Sequence, residues 1–202
     1  MDNLYDINLE GIGTVNGGNY KSIKITGVGT ILNNITCEQF NSEGVCKVNG
    51  SIGCNNIYVE GTFNSLGSIE AGEKVIINGM VKSGENIQGR EINISGRINV
   101  NGLLSGDKIK IILIGKNRVK EIGGEEITVL QEKKSFINGT IIPNKLICDS
   151  IEGDIITLEN TECEMVRGTN VNIKSGCKIK KIEYTGEIFI DPKSKVENVV
   201  KI

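Results

Sequence analysis

Histidine and tryptophan are absent from this 202-residue chain, and proline occurs only twice. Without histidine, Ser-His-Asp and Cys-His catalysis and most zinc sites are excluded. Aromatic residues make up 4% of the chain against 38% hydrophobic residues in all, so a core has to be aliphatic. No run of about 18 apolar residues exists to form a membrane-spanning helix. No apolar leader core follows residues 1–5, so a cytoplasmic protein is expected. Like charges never form a block of five or more, and the formal net charge is −2. Nucleic-acid binding is therefore not expected, and membrane association is expected to be peripheral at most. The six cysteines (Cys37, Cys46, Cys54, Cys148, Cys163 and Cys177) contain no Cys-x-x-Cys pair. In a cytoplasmic protein they are expected to be reduced packing thiols.

What the chain does have is glycine, 26 residues of it, together with short runs of β-branched residues. Gly27, Gly44, Gly61, Gly79 and Gly96 recur at steps of 17, 17, 18 and 17. Three aliphatic columns keep the same steps. Ile23, Phe40, Ile57, Val75 and Ile92 form the first, and Ile25, Ser42, Val59, Ile77 and Ile94 the second. Ile35, Ile52, Ile69, Ile87 and Leu104 form the third. A fourth column holds small residues: Cys37, Cys54, Ala71, Gly89 and Gly106. All four take their one extra residue in the same turn, near Gly72 to Lys74, so they belong to one repeating unit.

Such a unit is too short for a strand–helix pair, and its glycine content disfavours helix. It suits one coil of a parallel β-solenoid, stacked on the previous coil at about 4.8 Å. Alternation sends Ile23 and Ile25 inward and Lys24 outward. A single coil cannot bury its apolar side, whereas stacked coils share a continuous core. The glycine column marks a bend needing a left-handed backbone or close approach of the next coil.

The period fades after Leu104, and residues 131–150 carry charge and Pro143. The expected organisation is an N-terminal lead-in over 1–18, a solenoid block over 19–130, an irregular excursion or hinge over 131–150, and a second block over 151–202. Roughly ten coils predict a rod on the order of 50 Å long.

Other motifs favour bland readings. Cys37 and Cys54 share a column and could be a reactive or metal-binding pair, but small size is what that column has in common. The carboxylates, among them Glu10, Glu43, Glu60, Asp107, Glu125 and Asp154, form no acid column in the first block of the kind a polysaccharide-cleaving site needs. Gly11-Ile12-Gly13 with Gly17-Gly18 lacks the Gly-Lys-Ser/Thr of a phosphate loop. Lys178, Lys180 and Lys181 alternate with Ile179 and Ile182 as the outer face of a coil. No catalytic, metal or cofactor site is expected.

With these columns established, the chain resembles the bactofilin-like, polymer-forming cytoskeletal proteins of bacteria. The stretches that carry the resemblance are INLEGIGTVNGGNYKSIKITGVGTI (7–31), IYVEGTFNSLGSIEAGEKVIINGMVKSGENI (57–87) and VNIKSGCKIKKIEYTGEIFIDPKSKVENVVKI (171–202). The last resembles the Firmicute branch, whose solenoid is split by an insertion. The resemblance implies a single-stranded right-handed β-helix, head-to-tail polymerisation without nucleotide or other cofactor, and scaffolding in the cytoplasm rather than catalysis. The chain departs from the family's short members in its interrupted solenoid and its six cysteines.

Self-association is expected to use the apolar residues of the two ends: Ile7, Leu9, Ile12 and Val15 at one, Phe189, Ile190, Val196 and Val199 at the other. The alternative is a non-polymerising rigid adaptor for cell-envelope or motility proteins. Its recognition element would be the irregular segment with Phe136, Ile141 and Ile142.

Overall fold

A computed structural model describes residues 4–132, 136–137, 140–141 and 144–202. The chain is all-β: a 15-stranded sheet, wholly parallel in its pairing, winds as a solenoid of about 11 turns. No helix occurs among the described residues.

The three aliphatic columns are the inner walls of this solenoid, and each runs far beyond the stretch in which the sequence shows it. Ile35, Ile52, Ile69, Ile87 and Leu104 are successive ladder partners, and the same ladder continues through Ile122, Ile151, Val166 and Ile182 to Val199. Every member except Val199 is buried. Each fully buried aliphatic side chain contributes about 1.5–3 kcal/mol. The column led by Ile7 and Ile23 and the one led by Leu9 and Ile25 extend likewise to Ile188 and Ile190. Phe40 and Phe63, 5.3 Å apart between ring centroids, pack together in the core of the first coils.

Gly27, Gly44, Gly61, Gly79 and Gly96 stack at one corner with φ between +114° and +144°. A Cβ added at Gly61 would sit 2.2 Å from the Gly44 carbonyl oxygen. Both the backbone angle and the stacking distance therefore demand glycine there. At another corner side chains complete the ladder: Asn34 Oδ1 accepts from the Ser51 N–H, Ser51 Oγ from the Ser68 N–H, and Asn86 Oδ1 from the Leu103 N–H. Backbone donors that would otherwise be unpaired between coils are satisfied in this way.

The register shift falls where the columns place it: Cys54 pairs with Ala71, but Asn56 pairs with Lys74. A second irregularity, between Val119 and Glu121, explains why the period fades after Leu104. There buried Asn117 patches the ladder. Its Oδ1 accepts from the Ile98 N–H, and its Nδ2 donates to the carbonyls of Gly115 and Lys145.

The segment boundaries differ from those expected. Asp6–Val15 is a full coil strand in register with Ser22–Ile31, because its alternating Ile7, Leu9 and Val15 extend the inner columns. Residues 6–15 thus belong to the solenoid rather than to a lead-in. The interruption is also narrower than 131–150. One strand runs to Gln131 and the next begins at Lys145, whose partner Lys116 lies on the preceding coil. Polar residues pin this neck. Asn144 donates to the Glu132 carbonyl and accepts from the Gly115 N–H, while the Glu159 carboxylate accepts from both the backbone and the side chain of Gln131.

Candidate interaction surfaces

Among the described residues, the first and last coils each pair along one edge. Asp6–Val15 is hydrogen-bonded along one edge to Ser22–Ile31, and Lys195–Lys201 along one edge to Lys178–Tyr184. The inward residues of these coils have a neighbour on one side instead of two, and their burial drops accordingly. Ile182 is 0% exposed, whereas its partner Val199 is 41% exposed. Ile7, Leu9, Ile190 and Val196 are half-buried, and Val15 is buried.

Two of the sequence candidates lie elsewhere. Ile12, 87% exposed, belongs to an outward column with Val28, Val45, Thr62 and Met80 along the side of the rod. Phe189, 59% exposed, pairs with Asn172 and also faces outward. Alternation decides both: each is one residue out of phase with the inner columns.

In the interruption, Phe136 and Ile141 are partners in a two-stranded antiparallel ladder, Phe136–Ile137 with Thr140–Ile141. Ile142 lies outside the described residues.

The small-residue column has a consequence that the sequence did not reveal. Beyond Gly106 it continues through Gly124, Gly153 and Gly168, each nearly touching the carbonyl of the one before. Lacking side chains, this column forms the floor of a groove along the rod. One part of it, about 520 Å³, is walled by Glu121, Glu125, Glu152, Asp154 and Arg167. Arg167 bonds Glu183 at 2.8 Å and approaches Glu152 at 3.7 Å, spanning three coils. These acids lie on both sides of the interruption in sequence, so no column of regular spacing connects them. Similar ion pairs between coils, such as Lys74–Glu91 at 2.9 Å and Lys180–Glu164, occur on the outer faces.

The cysteines require a correction. Cys37 and Cys54, in-register neighbours with Cα atoms 4.7 Å apart, are joined as a disulfide rather than being reduced packing thiols. The stacking that makes them one column also brings their side chains within bonding distance. Cys46, Cys148, Cys163 and Cys177 are buried thiols. Burial pushes the Cys46 thiol up to about 12, keeping it protonated and inert. Among the described residues, no three His, Cys, Asp or Glu side chains converge as metal ligands, and no helix is long and apolar enough to cross a membrane.

No family model and no solved structure matches the chain. Two Bacillus subtilis (strain 168) proteins are similar to it. The uncharacterized protein YhbF is 43% identical over 102 residues, 50% of this chain and 42% of YhbF. The uncharacterized protein YhbE is 34% identical over 105 residues, 51% of this chain and 44% of YhbE. Each match thus covers about half of this chain and less than half the length of the relative.

Proposed function

We propose that the chain is a structural scaffold, bactofilin-like in kind, whose solenoids assemble end to end without nucleotide. The observation that carries this reading is the pair of open end coils. Their inner columns finish on half-exposed Ile7 and Leu9 at one end and on Val196 and Val199 at the other. Docking one end on the other would continue the same ladders and columns, and such a head-to-tail contact propagates instead of closing. The protein would act by self-association in the cytoplasm rather than by catalysis.

Sedimentation and negative-stain imaging of the purified chain test this. Filaments are expected in the absence of nucleotide and should persist in high salt, because the contact is apolar. Val196→Lys combined with Val199→Lys should leave short, soluble particles. A chain that stays monomeric at high concentration overturns the reading.

The pinned neck at Gln131, Asn144 and Glu159 favours a second reading. A segment held this firmly at its base is suited to presentation, which would make the rod an adaptor for cell-envelope or motility proteins. Under this reading the chain forms no filaments and removing 133–143 should abolish partner capture, whereas under the first reading the same deletion should leave filaments intact.

A further inference from the structure

Cys148 and Cys163 repeat, beyond the interruption, the relation between Cys37 and Cys54. They are ladder partners on adjacent parallel strands, Lys145–Leu158 and Thr161–Ile173. Both point inward and both are 3% exposed. In the column they occupy, Ile179 and Val196 are the partners that follow. The in-register spacing of parallel strands falls within the Cα range that a disulfide spans. We propose that Cys148 and Cys163 form a second disulfide between coils when the protein meets a hydroperoxide, so that the rod carries an oxidisable staple on each side of its interruption.

The chemistry is that of a thiol pair with divided roles. The Cys163 sulfur lies 3.1 Å from the Met165 carbonyl oxygen and the Cys148 sulfur 3.9 Å from that of Glu162. The two neighbouring thiols split in acidity: Cys148 beside it lowers Cys163 below the usual thiol range, while Cys163 and burial raise Cys148, which keeps its proton. The Cys163 thiolate attacks one oxygen of hydrogen peroxide, the O–O bond breaks, and a sulfenic acid and hydroxide result. The Cys148 sulfur then displaces the hydroxyl from the Cys163 sulfur. The S–S bond forms, and the Cys148 proton leaves with that hydroxyl as water. The hydroxide from the first step takes up the proton Cys163 had released. Two thiols and one peroxide thus give one disulfide and two waters. A small oxidant suits a pair this enclosed.

The other thiols are not placed to compete. Cys177 is directed at the Leu158 carbonyl, 3.4 Å away, and in the strand that follows it Ile179 is the partner of Cys163. Cys46 has Gly29 and Phe63 as its ladder neighbours.

The test uses the full chain. Protein is treated with stoichiometric hydrogen peroxide, denatured in an alkylating agent and measured by intact mass, then mapped by non-reduced peptide analysis. Four alkylated cysteines are expected before treatment and two after, with a single new linked peptide joining Cys148 to Cys163. A Cys37→Ser/Cys54→Ser variant should show the same loss of two thiols. In Cys148→Ser the loss should disappear while cooperative melting is retained. Melting of the wild-type chain should rise on oxidation, and that of Cys148→Ser should not. Four thiols surviving treatment, oxygen added to separate cysteines, or a link to Cys177 or Cys46 overturns the proposal.

Discussion

The coils before the interruption and those after it share the same inner columns but turn their corners differently. In the first part, one corner is a stack of left-handed glycines from Gly27 to Gly96. At the next levels that corner is occupied by Leu113 and then Gln131, followed by Asn160 at φ +48°. Asn160 donates to Gln131 Oε1 at 2.6 Å and the Gln131 N–H donates to the Glu159 carboxylate, so side-chain hydrogen bonds replace the glycine stack. Asparagine tolerates the left-handed region because its short polar side chain finds partners locally. The solenoid therefore depends on inward apolar stacking throughout, whereas the chemistry of its corners varies.

Breaking the shared element should produce the largest effect and should be equal in the two parts. Ile69→Ala and Ile151→Ala remove members of one continuous column, both 0% exposed. Each should cost about 3–4 kcal/mol in denaturant unfolding. A much smaller loss at Ile151 would mean that the second part packs independently of that column.

Breaking the corners should separate the two parts. Gly61→Ala places a Cβ 2.2 Å from the Gly44 carbonyl at φ +114° and should cost about 3 kcal/mol. Asn160→Gly keeps the backbone angle accessible and loses only the side-chain bonds, so about 1 kcal/mol is expected. Gly11→Ala calibrates strain alone, because no atom lies within 4 Å of the added carbon. Its cost, from the same unfolding curves, should fall below that of Gly61→Ala.

The smallest effect concerns the surface ion pairs, one in each part. Lys74 holds Glu91 below the usual carboxylate range, as Lys145 does Glu162. A carboxylate whose folded value is depressed stabilises the fold above its unfolded value, and this contribution fades as pH falls through the folded one. Both pairs are substantially exposed and screened by solvent, so each should contribute little. Glu91→Gln and Glu162→Gln should each flatten the fall in unfolding midpoint between pH 7 and pH 3 by a similar small amount.

The solenoid and its inner columns were legible from Ile23 to Leu104 because each coil there repeats at nearly constant length, so equivalent residues fall at equal steps. The columns continue to Ile190 and Val199, but beyond Leu104 the steps change around Asn117 and again across the interruption. An arithmetic period is lost at such places even though the spatial stack is not. The groove went unseen for the same reason, since Gly124 and Gly153 are 29 residues apart in the chain and adjacent in space. Chain position points Ile12 and Phe189 to the ends, whereas side-chain alternation turns them to the flanks.

Sequence alone determined that this chain stacks short parallel strands over an aliphatic core, because only coiling buries so many evenly spaced β-branched residues with so few aromatics. Tertiary structure decided which thiols meet, which acids share a groove and which apolar residues remain at the open ends. Those outcomes depend on the vertical register between coils. Register is fixed by hydrogen-bonded neighbours far apart in the chain, which no local pattern records.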